Sequence, residues 1–273
     1  MSQYPTASKM RVPRELEIVL NGPIGPQRLR DDTIVIEKDG WYRTLTPSAT
    51  FSAANEILFC NLDKRDPDSH IDAIIAEYQN RRLPLSWCVY PWTQPADLGK
   101  RLLARGATGS NVRAYLTDTA LPLKVVEGVD VEHVAPASTE GLETYISTLS
   151  AGYALPADEE AFRRSRYRQL MAEPNPVMHL FIARCDGVVT GCSAMIVKQG
   201  SAHLTSSSVL PAFQGRGVFQ SLIATSLATL REMGIPFASG HSNDKSAFWV
   251  ERFGFKFIYA YTIYELENSS PLG

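Results

Sequence analysis

The hydrophobic and polar positions in the first half of the chain predict strands that alternate with helices. Segments that alternate apolar and polar side chains, and one continuous apolar run at 57–62, are typical of strands. The predicted strands are residues 16–20, 33–37, 57–62, 83–91 and 111–117. Apolar side chains recur at helical spacing over residues 71–82, after a capping stretch at Asp66-Pro67-Asp68-Ser69, and a second helix is predicted over residues 96–106. This order indicates an α/β fold.

The second half follows a polar linker at residues 117–124 and has a different order. Its hairpin turn is predicted at Asp186-Gly187, and Gly234 is a typical residue to follow the end of a helix. The predicted strands are residues 125–134, 178–187, 188–200, 201–210, 235–240 and 256–266, and the predicted helices are residues 140–151, 158–173 and 219–233. Three consecutive antiparallel strands therefore lead into the helix at 219–233.

A glycine-rich turn, Gln214-Gly215-Arg216-Gly217, connects the third of these strands to that helix. The first N–H groups of a helix have no intrahelical partner, and the helix dipole is positive at that end. Glycines let the backbone approach an anion closely, and an arginine adds a permanent cation. The turn is therefore a candidate phosphate-binding loop. It lacks the Lys-Ser/Thr of a P-loop.

The loop resembles the Q/R-x-x-G-x-G/A motif of the GNAT superfamily, the CoA-dependent N-acyltransferases. Gln214 and Gly217 match the motif, as do the preceding Val209 and Pro211, whereas Phe219 replaces the usual small residue. In that family the loop amides hold the pyrophosphate of CoA. Together with the second motif below, the resemblance implies a CoA site formed by Val209, Gln214, Gly215, Arg216, Gly217, Val218, Phe219, Asn243 and Ser246.

A second motif follows at the distance that the family requires. Asn243, Ala247 and Gly254-Phe255 resemble the N-x-x-A-x-x-L-Y-E-K-x-G-F pattern, in which the asparagine contacts the pantetheine arm. The resemblance covers residues 125–266, and a looser one covers residues 51–120, where no such loop occurs. It implies a tandem-GNAT protein of two mixed sheets flanked by helices. The predicted domains are a degenerate N-terminal half at 1–120 and an acyl-CoA-binding catalytic half at 125–268.

Composition excludes several other classes of function. The 273 residues carry a net charge of −2, which gives no basic surface for nucleic acid or for an anionic membrane. No apolar run is long enough for a membrane span, and the N-terminus lacks a secretory signal, so a cytoplasmic protein is expected. The four cysteines are expected to be reduced, and no metal site is predicted. Whether the chain forms a homodimer is left open.

The catalytic groups of the family are only partly present. Many members carry a glutamate base before the loop, but here that stretch is Thr205 to Ser208, and Val250 occupies the position of the family's tyrosine acid. The predicted base is His241, directly or through water, and the hydroxyl run that includes Ser207 is expected to hold that water. Either the thiolate leaves unprotonated, or a hydroxyl of Tyr259, Ser242 or Tyr261 serves as acid. A backbone N–H near Val209 is expected to bind the thioester oxygen.

The acceptor and the acyl chain remain open at this point. The default expectation is transfer of an acetyl group from acetyl-CoA to an amine-bearing small molecule or peptide, by direct attack in a ternary complex. The alternatives are transfer of a longer acyl chain to a peptide or specialised metabolite, and a CoA-binding regulator without catalysis. The arginines of the 158–173 helix form either a solvated face balanced by Asp158, Glu159 and Glu160, or a site for an anion of the acceptor or of CoA.

Overall fold

The computed structural model describes residues 13–38, 40–60, 62 and 65–267; most of the segment in which a secretory signal was sought lies outside this range. Its strands are β1 (Ile34–Lys38), β2 (Trp41–Leu45), β3 (Glu56–Phe59), β4 (Leu85–Val89), β5 (Thr108–Asp118), β6 (Asp130–His133), β7 (Met178–Cys185), β8 (Val188–Lys198), β9 (Ser201–Val209), β10 (Phe237–Asn243) and β11 (Lys256–Leu266). Its α-helices are α1 (Arg14–Asn21), α2 (Pro67–Asn80), α3 (Leu98–Leu103), α4 (Thr139–Tyr153), α5 (Ala157–Met171), α6 (Val218–Glu232) and α7 (Asp244–Arg252).

The strands form one continuous mixed sheet in the order β1-β2-β3-β4-β11-β5-β10-β9-β8-β7-β6. The last strand, β11, lies between β4 and β5 and is antiparallel to both. The C-terminal half therefore completes the sheet of the N-terminal half, and β5 in turn pairs with β10 of the C-terminal half. The expected mixed α/β fold is confirmed. The domain division at 120–125 stays a prediction, and the exchange of strands joins the two halves across it.

Helices cover both halves and bury separate clusters of apolar side chains. In the C-terminal half, α6 packs on β7, β8 and β9 through residues such as Leu222 and Leu227, while α4 and α5 bury Tyr145 and Tyr167. In the N-terminal half, α2 and α3 close a core around Trp87. These clusters hold the middle of the sheet, so the strand ends near α6 and α7 are positioned rigidly.

Most of the predicted elements are found, and one prediction is wrong. Residues 16–20 form helix α1 instead of a strand. Leu16, Val19 and Leu20 are spaced i, i+3 and i+4, so one helical face packs against the sheet, and Pro13 precedes the first turn. A short window with only Glu17 polar is also typical of a strand, and periodicity over five residues does not separate the two. Strand β2 and helix α7 were not predicted.

Candidate functional site

The sheet opens between β9 and β10. These two strands are parallel and pair from Ala238 to Gly240 against Ala202 to Leu204, after which β10 continues along β5. Their C-terminal ends separate beyond this point, and each leads into a helix, α6 after β9 and α7 after β10. A cleft at the carboxyl ends of diverging strands is a common place for a ligand to bind.

A bulge in β9 lies on one side of this opening. The register with β8 shifts between Cys192 and Ala194, so that Ser206 and Ser207 lie opposite one residue. Ser206 has a φ of 50°, a left-handed conformation that costs a residue with a side chain about 1 kcal/mol or more. A bulge takes its extra residue out of the regular ladder, which re-aims backbone groups.

Side chains of α4 and α5 hold the bulge in place. The hydroxyl of Tyr145 donates to the Ser206 carbonyl at 3.1 Å, and that of Tyr153 donates to the Ser207 carbonyl at 2.9 Å. Arg163 Nη1 donates to Ser206 Oγ at 3.3 Å. Helix α4 approaches very closely here, since a Cβ added at Gly152 would lie 1.7 Å from Ser208 Oγ. The conformation of the bulge therefore depends on these two helices.

The glycine-rich loop begins helix α6 as predicted. Gly215 and Gly217 have φ angles of 78° and 80°, which glycine adopts at no steric cost. A Cβ at Gly217 would also lie 2.6 Å from Val126, whereas at Gly215 it would have free space. Arg216 is exposed, with its guanidinium 5.3 Å from the centre of the Phe213 ring. The loop thus presents the first amides of α6 to the cleft.

A cavity of about 700 Å³, here called the loop cavity, lies against this loop. Most of the residues predicted for CoA binding line this cavity; Arg216 is the predicted residue that does not. Tyr153 and Ser208 line it from the side of α4 and β9, and Lys245 and Trp249 from α7. The predicted residues in the lining are Val209, Gln214, Gly215, Gly217, Val218, Phe219, Asn243 and Ser246.

A second cavity of about 340 Å³, here called the inner cavity, extends from the opening towards the N-terminal half. Pro23 and Arg28 of that half line it, together with Arg163 of α5 and His241 of β10. Residues at the junction line both cavities: Tyr153, Ser207, Phe219, Asn243, Ser246 and Phe253. A molecule in the loop cavity and another in the inner cavity would therefore meet beside the β9 bulge.

Asn243 occupies the turn from β10 to α7. Its side-chain oxygen accepts from the backbone N–H groups of Lys245 and Ser246 at 3.1 and 3.2 Å, so it is the N-cap of α7. Ser246 Oγ lies 3.1 Å from the same oxygen. Both residues line the two cavities, and their contact with a pantetheine arm stays a prediction.

His241 lies in the wall of the inner cavity, but its ring nitrogens are engaged in hydrogen bonds. Nε2 donates to the Val19 carbonyl of α1 at 3.2 Å, which leaves Nδ1 to accept from the Tyr261 hydroxyl at 3.0 Å. Burial is the main cause that lowers the pKa of His241 to about 3; the hydrogen bond to Val19 opposes it, and the charges of Arg28 and Lys198 act in the same direction as burial. This geometry favours a structural role that ties α1 to the sheet.

The other two predicted catalytic residues lie in different places. Ser207 is at the junction of the two cavities, as expected of a residue near the reaction. Tyr259 lies outside the lining of both and packs against Tyr90 and Trp92, and its buried hydroxyl has no hydrogen-bond partner among the described residues. Burial raises the pKa of Tyr259. Its location does not support the predicted role as acid, because it packs within an apolar cluster shared with the N-terminal half, whereas Tyr261, two residues further along β11, lines the inner cavity.

The arginines of α5 divide between the two interpretations that the sequence left open. Arg164 pairs with Glu160 and Glu143, and Arg168 also pairs with Glu143 on the surface. Arg163 instead donates to Glu159, Tyr167 and Ser206 and lines the inner cavity.

Several residues of the site were not predicted from the sequence, notably Arg28, Tyr145, Tyr153, Lys245 and Trp249. For Arg28 and Tyr145 no local signal existed, because tertiary packing brings them to β9. Lys245 and Trp249 lie within the second motif, so its spacing could have indicated them.

Three general observations apply to the described part of the chain. Its histidines, cysteines and acidic residues form no group of three or more that could hold a metal ion. None of its helices has the length and apolar character needed to cross a membrane. Cys60, Cys88, Cys185 and Cys192 are free thiols, and all but Cys60 are buried.

Comparison with known proteins agrees with this geometry. Residues 144–255 match the model of the Acetyltransferase (GNAT) family. No curated protein matches the sequence at the significance required. A conserved protein of unknown function from Staphylococcus epidermidis ATCC 12228 has a similar structure, with a TM-score of 0.71 and 15% identity over 90% of this chain and 98% of the other.

Two structures of the same family are also similar. A GCN5-related N-acetyltransferase from Kribbella flavida gives a TM-score of 0.64 at 16% identity, over 88% of this chain and 91% of the other. A tandem GNAT protein from the clavulanic acid biosynthesis pathway gives 0.58 at 14% identity, over 89% and 85%. At such identities the similarity shows the fold. Residues 144–255 thus match the GNAT acetyltransferase family model, and the chain as a whole has a fold similar to that of a tandem GNAT protein.

Proposed function

We propose that this protein transfers an acyl group from acyl-CoA to an amine, with acetyl-CoA as the donor. The observation that carries the proposal is the junction of the two cavities beside the β9 bulge. One cavity is lined by a helix N-terminus suited to a pyrophosphate, and the other leads away from it towards the N-terminal half. A thioester and an amine bound there would be held together for direct attack.

The loop cavity is the proposed site for acyl-CoA. The amides at the start of α6 face the pyrophosphate, and Gly215 allows the backbone to approach it closely. The pantetheine arm passes Asn243 and Ser246 on one side and Val209 on the other. Arg216, at the outer edge of the loop, is available to the phosphates as they leave the cavity.

The reaction proposed at the junction is a direct transfer. The amine nitrogen forms a bond to the thioester carbon, and the C–S bond breaks with its electron pair going to sulfur. The thiolate of CoA is a good leaving group, since a thiol pKa is near 8.5, so an acid is not essential. The N–H groups of residues 206–209, re-aimed by the bulge, are the proposed donors to the carbonyl oxygen.

Removal of the amine proton needs a different account from the one that the sequence suggested. A histidine with a pKa of about 3 and both nitrogens engaged is a poor base, so we assign His241 a structural role. Nearby cationic groups disfavour an ammonium in the inner cavity. The acceptor is therefore proposed to bind as the uncharged amine, with its proton passing to water and Ser207 holding an ordered water at the junction.

Thermal unfolding with a series of acyl-CoAs tests the donor. A ligand at about 100 times its dissociation constant stabilises a protein by roughly 2.7 kcal/mol, which is an easily measured shift. We expect the largest shift with acetyl-CoA; a maximum with octanoyl- or palmitoyl-CoA would instead support transfer of a longer chain. Release of free thiol in the presence of an amine panel then tests catalysis. Binding without thiol release from any amine would support a CoA-binding regulator.

A further inference from the structure

The inner cavity has an unusual balance of charge for a site that receives an amine. Among the described residues that line it, none is an aspartate or a glutamate, while two are arginines, Arg28 and Arg163. An amine that enters as a cation usually meets a carboxylate. The opposite polarity indicates that the ligand brings an anionic group of its own.

Arg28 and Arg163 differ in how many of their N–H groups are engaged. Arg163 donates to Glu159 through two nitrogens and to Tyr167 and Ser206 through a third, so its guanidinium is occupied with holding the bulge. Arg28 donates from Nη1 to Glu56, which is its acceptor within the described residues. The rest of its five-donor fork is left for a ligand.

The N-terminal half holds Arg28 in a fixed position. Glu56 is buried and also accepts from the Cys88 thiol at 3.4 Å, so it anchors one edge of the guanidinium. The Arg28 side chain nevertheless keeps 36% of its surface exposed, and it lines the cavity. A planar guanidinium anchored on one edge and open on the other is well suited to bind a carboxylate.

A second, partly charged group lies behind this end of the cavity wall, because burial and the charge of Arg28 lower the pKa of Lys198 to about 7. Lys198 Nζ donates to the carbonyls of Asn21, Gly22 and Ile24, the segment that carries Pro23 into the cavity wall. Burial lowers the pKa of His203, and the charges of His241, Lys198 and Arg28 lower it further. The charge of Glu56 offsets that of Arg28 and leaves the partial charge of Lys198 without a carboxylate partner among the described residues.

We propose that the inner cavity takes amines that also carry a carboxylate, such as a free amino acid, and that Arg28 binds this carboxylate. The inference rests on the proposed function, because it identifies the class of acceptor for the same reaction. It gives the N-terminal half a direct part in recognition, since Arg28 and its anchor Glu56 both belong to that half. A volume of about 340 Å³ is suited to a molecule the size of an amino acid.

Acceptor competition tests the inference through kcat/KM. We would compare leucine with leucinamide and isoamylamine, which lack the carboxylate, and with glycyl-leucine, in which amine and carboxylate lie further apart. A charged hydrogen bond is worth roughly 10- to 100-fold, so we expect leucine or the dipeptide to be preferred by that factor. A preference for leucine would indicate a free amino acid as acceptor, and a preference for glycyl-leucine would indicate a peptide. Either result supports a carboxylate site.

Variants then assign the preference to Arg28. Arg28→Gln alone would leave Glu56 buried and unpaired, so the informative variant is Arg28→Gln with Glu56→Gln. We expect it to lose the preference for the carboxylate while it still uses isoamylamine. The matched control is Arg184→Gln, whose side chain is 35% exposed and near Glu132 at the far edge of the sheet. An unchanged preference in the double variant, or no preference in the unmodified protein, would overturn the inference.

A binding measurement separates this inference from the proposed function. Calorimetry with N-acetylleucine, which has the carboxylate but no reactive amine, needs no catalysis. Binding that weakens at least about 10-fold in the double variant supports the carboxylate site even if no amine releases thiol from acyl-CoA. The outcome against the inference is equal thiol release with charged and uncharged acceptors, together with equal binding of N-acetylleucine by both proteins. That result would support the acyltransferase function and contradict the proposed role of Arg28.

Discussion

The loop cavity and the inner cavity meet at the same bulge but are built from different kinds of structure. The loop cavity is formed largely by residues close together in sequence, and its main binding groups are backbone amides at the start of α6. The inner cavity is formed by side chains from the segment after α1 and from α5, β9 and β10, among others, which only the folded chain brings together. A donor common to a whole family can be bound by backbone, whereas the choice of acceptor has to be made by side chains. Substitutions in the loop cavity should therefore weaken CoA binding, whereas substitutions in the inner cavity should alter the reaction rate or the choice of acceptor.

The largest effect is expected from a carboxylate placed in the loop. Gly215→Glu adds a negative charge where the pyrophosphate is proposed to bind, and the new Cβ has free space. We expect CoA binding to weaken by more than about 100-fold, measured by calorimetry, because each 1.4 kcal/mol of repulsion is a factor of ten.

The control for this variant is Gly215→Asn, because asparagine tolerates a positive φ better than most residues and adds no charge. Gly217→Glu is less informative, since its Cβ would also collide with Val126. Unchanged CoA affinity in Gly215→Glu would show that the loop does not bind the pyrophosphate.

A smaller effect is expected from the arginine that supports the bulge. Arg163→Gln, combined with Glu159→Gln so that no buried carboxylate is left unpaired, removes the hydrogen bond to Ser206. We expect the acyl-transfer rate to fall roughly 10- to 100-fold while CoA affinity changes little, because the donors at the reaction site lose their alignment.

Arg164→Gln is the matched control on the same helix. Arg164 pairs with Glu160 and Glu143 on the surface, where such pairs contribute about 1 kcal/mol or less. We expect it to retain the unmodified rate. If both variants lose activity equally, the effect belongs to helix α5 as a whole and not to the contact with Ser206.

These two arginines also show what the sequence could predict. The loop and the helix after it were identified correctly because strand, glycines and helix are contiguous, and the second motif has a fixed spacing. Arg163 could not be separated from Arg164, since periodicity does not reveal which helical face meets a bulge. Arg28 has no local signal at all, and the surroundings of Tyr259 could not be predicted because β11 inserts between β4 and β5. Contacts that depend on this exchange of strands cannot be predicted from spacing.

The close approach of α4 to β9 predicts a third effect. Gly152→Ala would put a Cβ 1.7 Å from Ser208 Oγ and 2.9 Å from Ser208 Cβ. The hydroxyl must therefore rotate away, and the contact with Ser208 Cβ shifts the end of α4, which carries Tyr153. We expect a loss of stability of about 1–3 kcal/mol by thermal unfolding, and a fall in rate of about 10-fold.

The companion variant Ser208→Gly removes the atoms that the new methyl group would meet. In the double variant, stability and rate should recover in part, as a coupling between residues in contact. Additive losses from Gly152→Ala and Ser208→Gly would mean that the two residues do not touch in the working protein.

The smallest effect on catalysis, and the sharpest test of the proton pathway, concerns His241. A group with a pKa of about 3 does not titrate between pH 6 and 9, so over that range the rate should follow the pKa of the acceptor amine alone. We expect His241→Asn to have the same pH profile of kcat/KM as the unmodified protein, with a modest and pH-independent loss of rate. A profile whose limb near pH 6–7 disappears in the variant would restore His241 as the base.

Unlike the rate, the free energy of unfolding should depend on the ionisation of His241. The folded pKa lies below the unfolded value of about 6.5, so the unfolded state binds the proton more readily, and stability is complete above pH 6.5 and falls as the pH drops towards 3. Thermal unfolding of the variant should therefore depend less steeply on pH in that window, because a structural histidine contributes through its neutral form and not through a proton that it transfers.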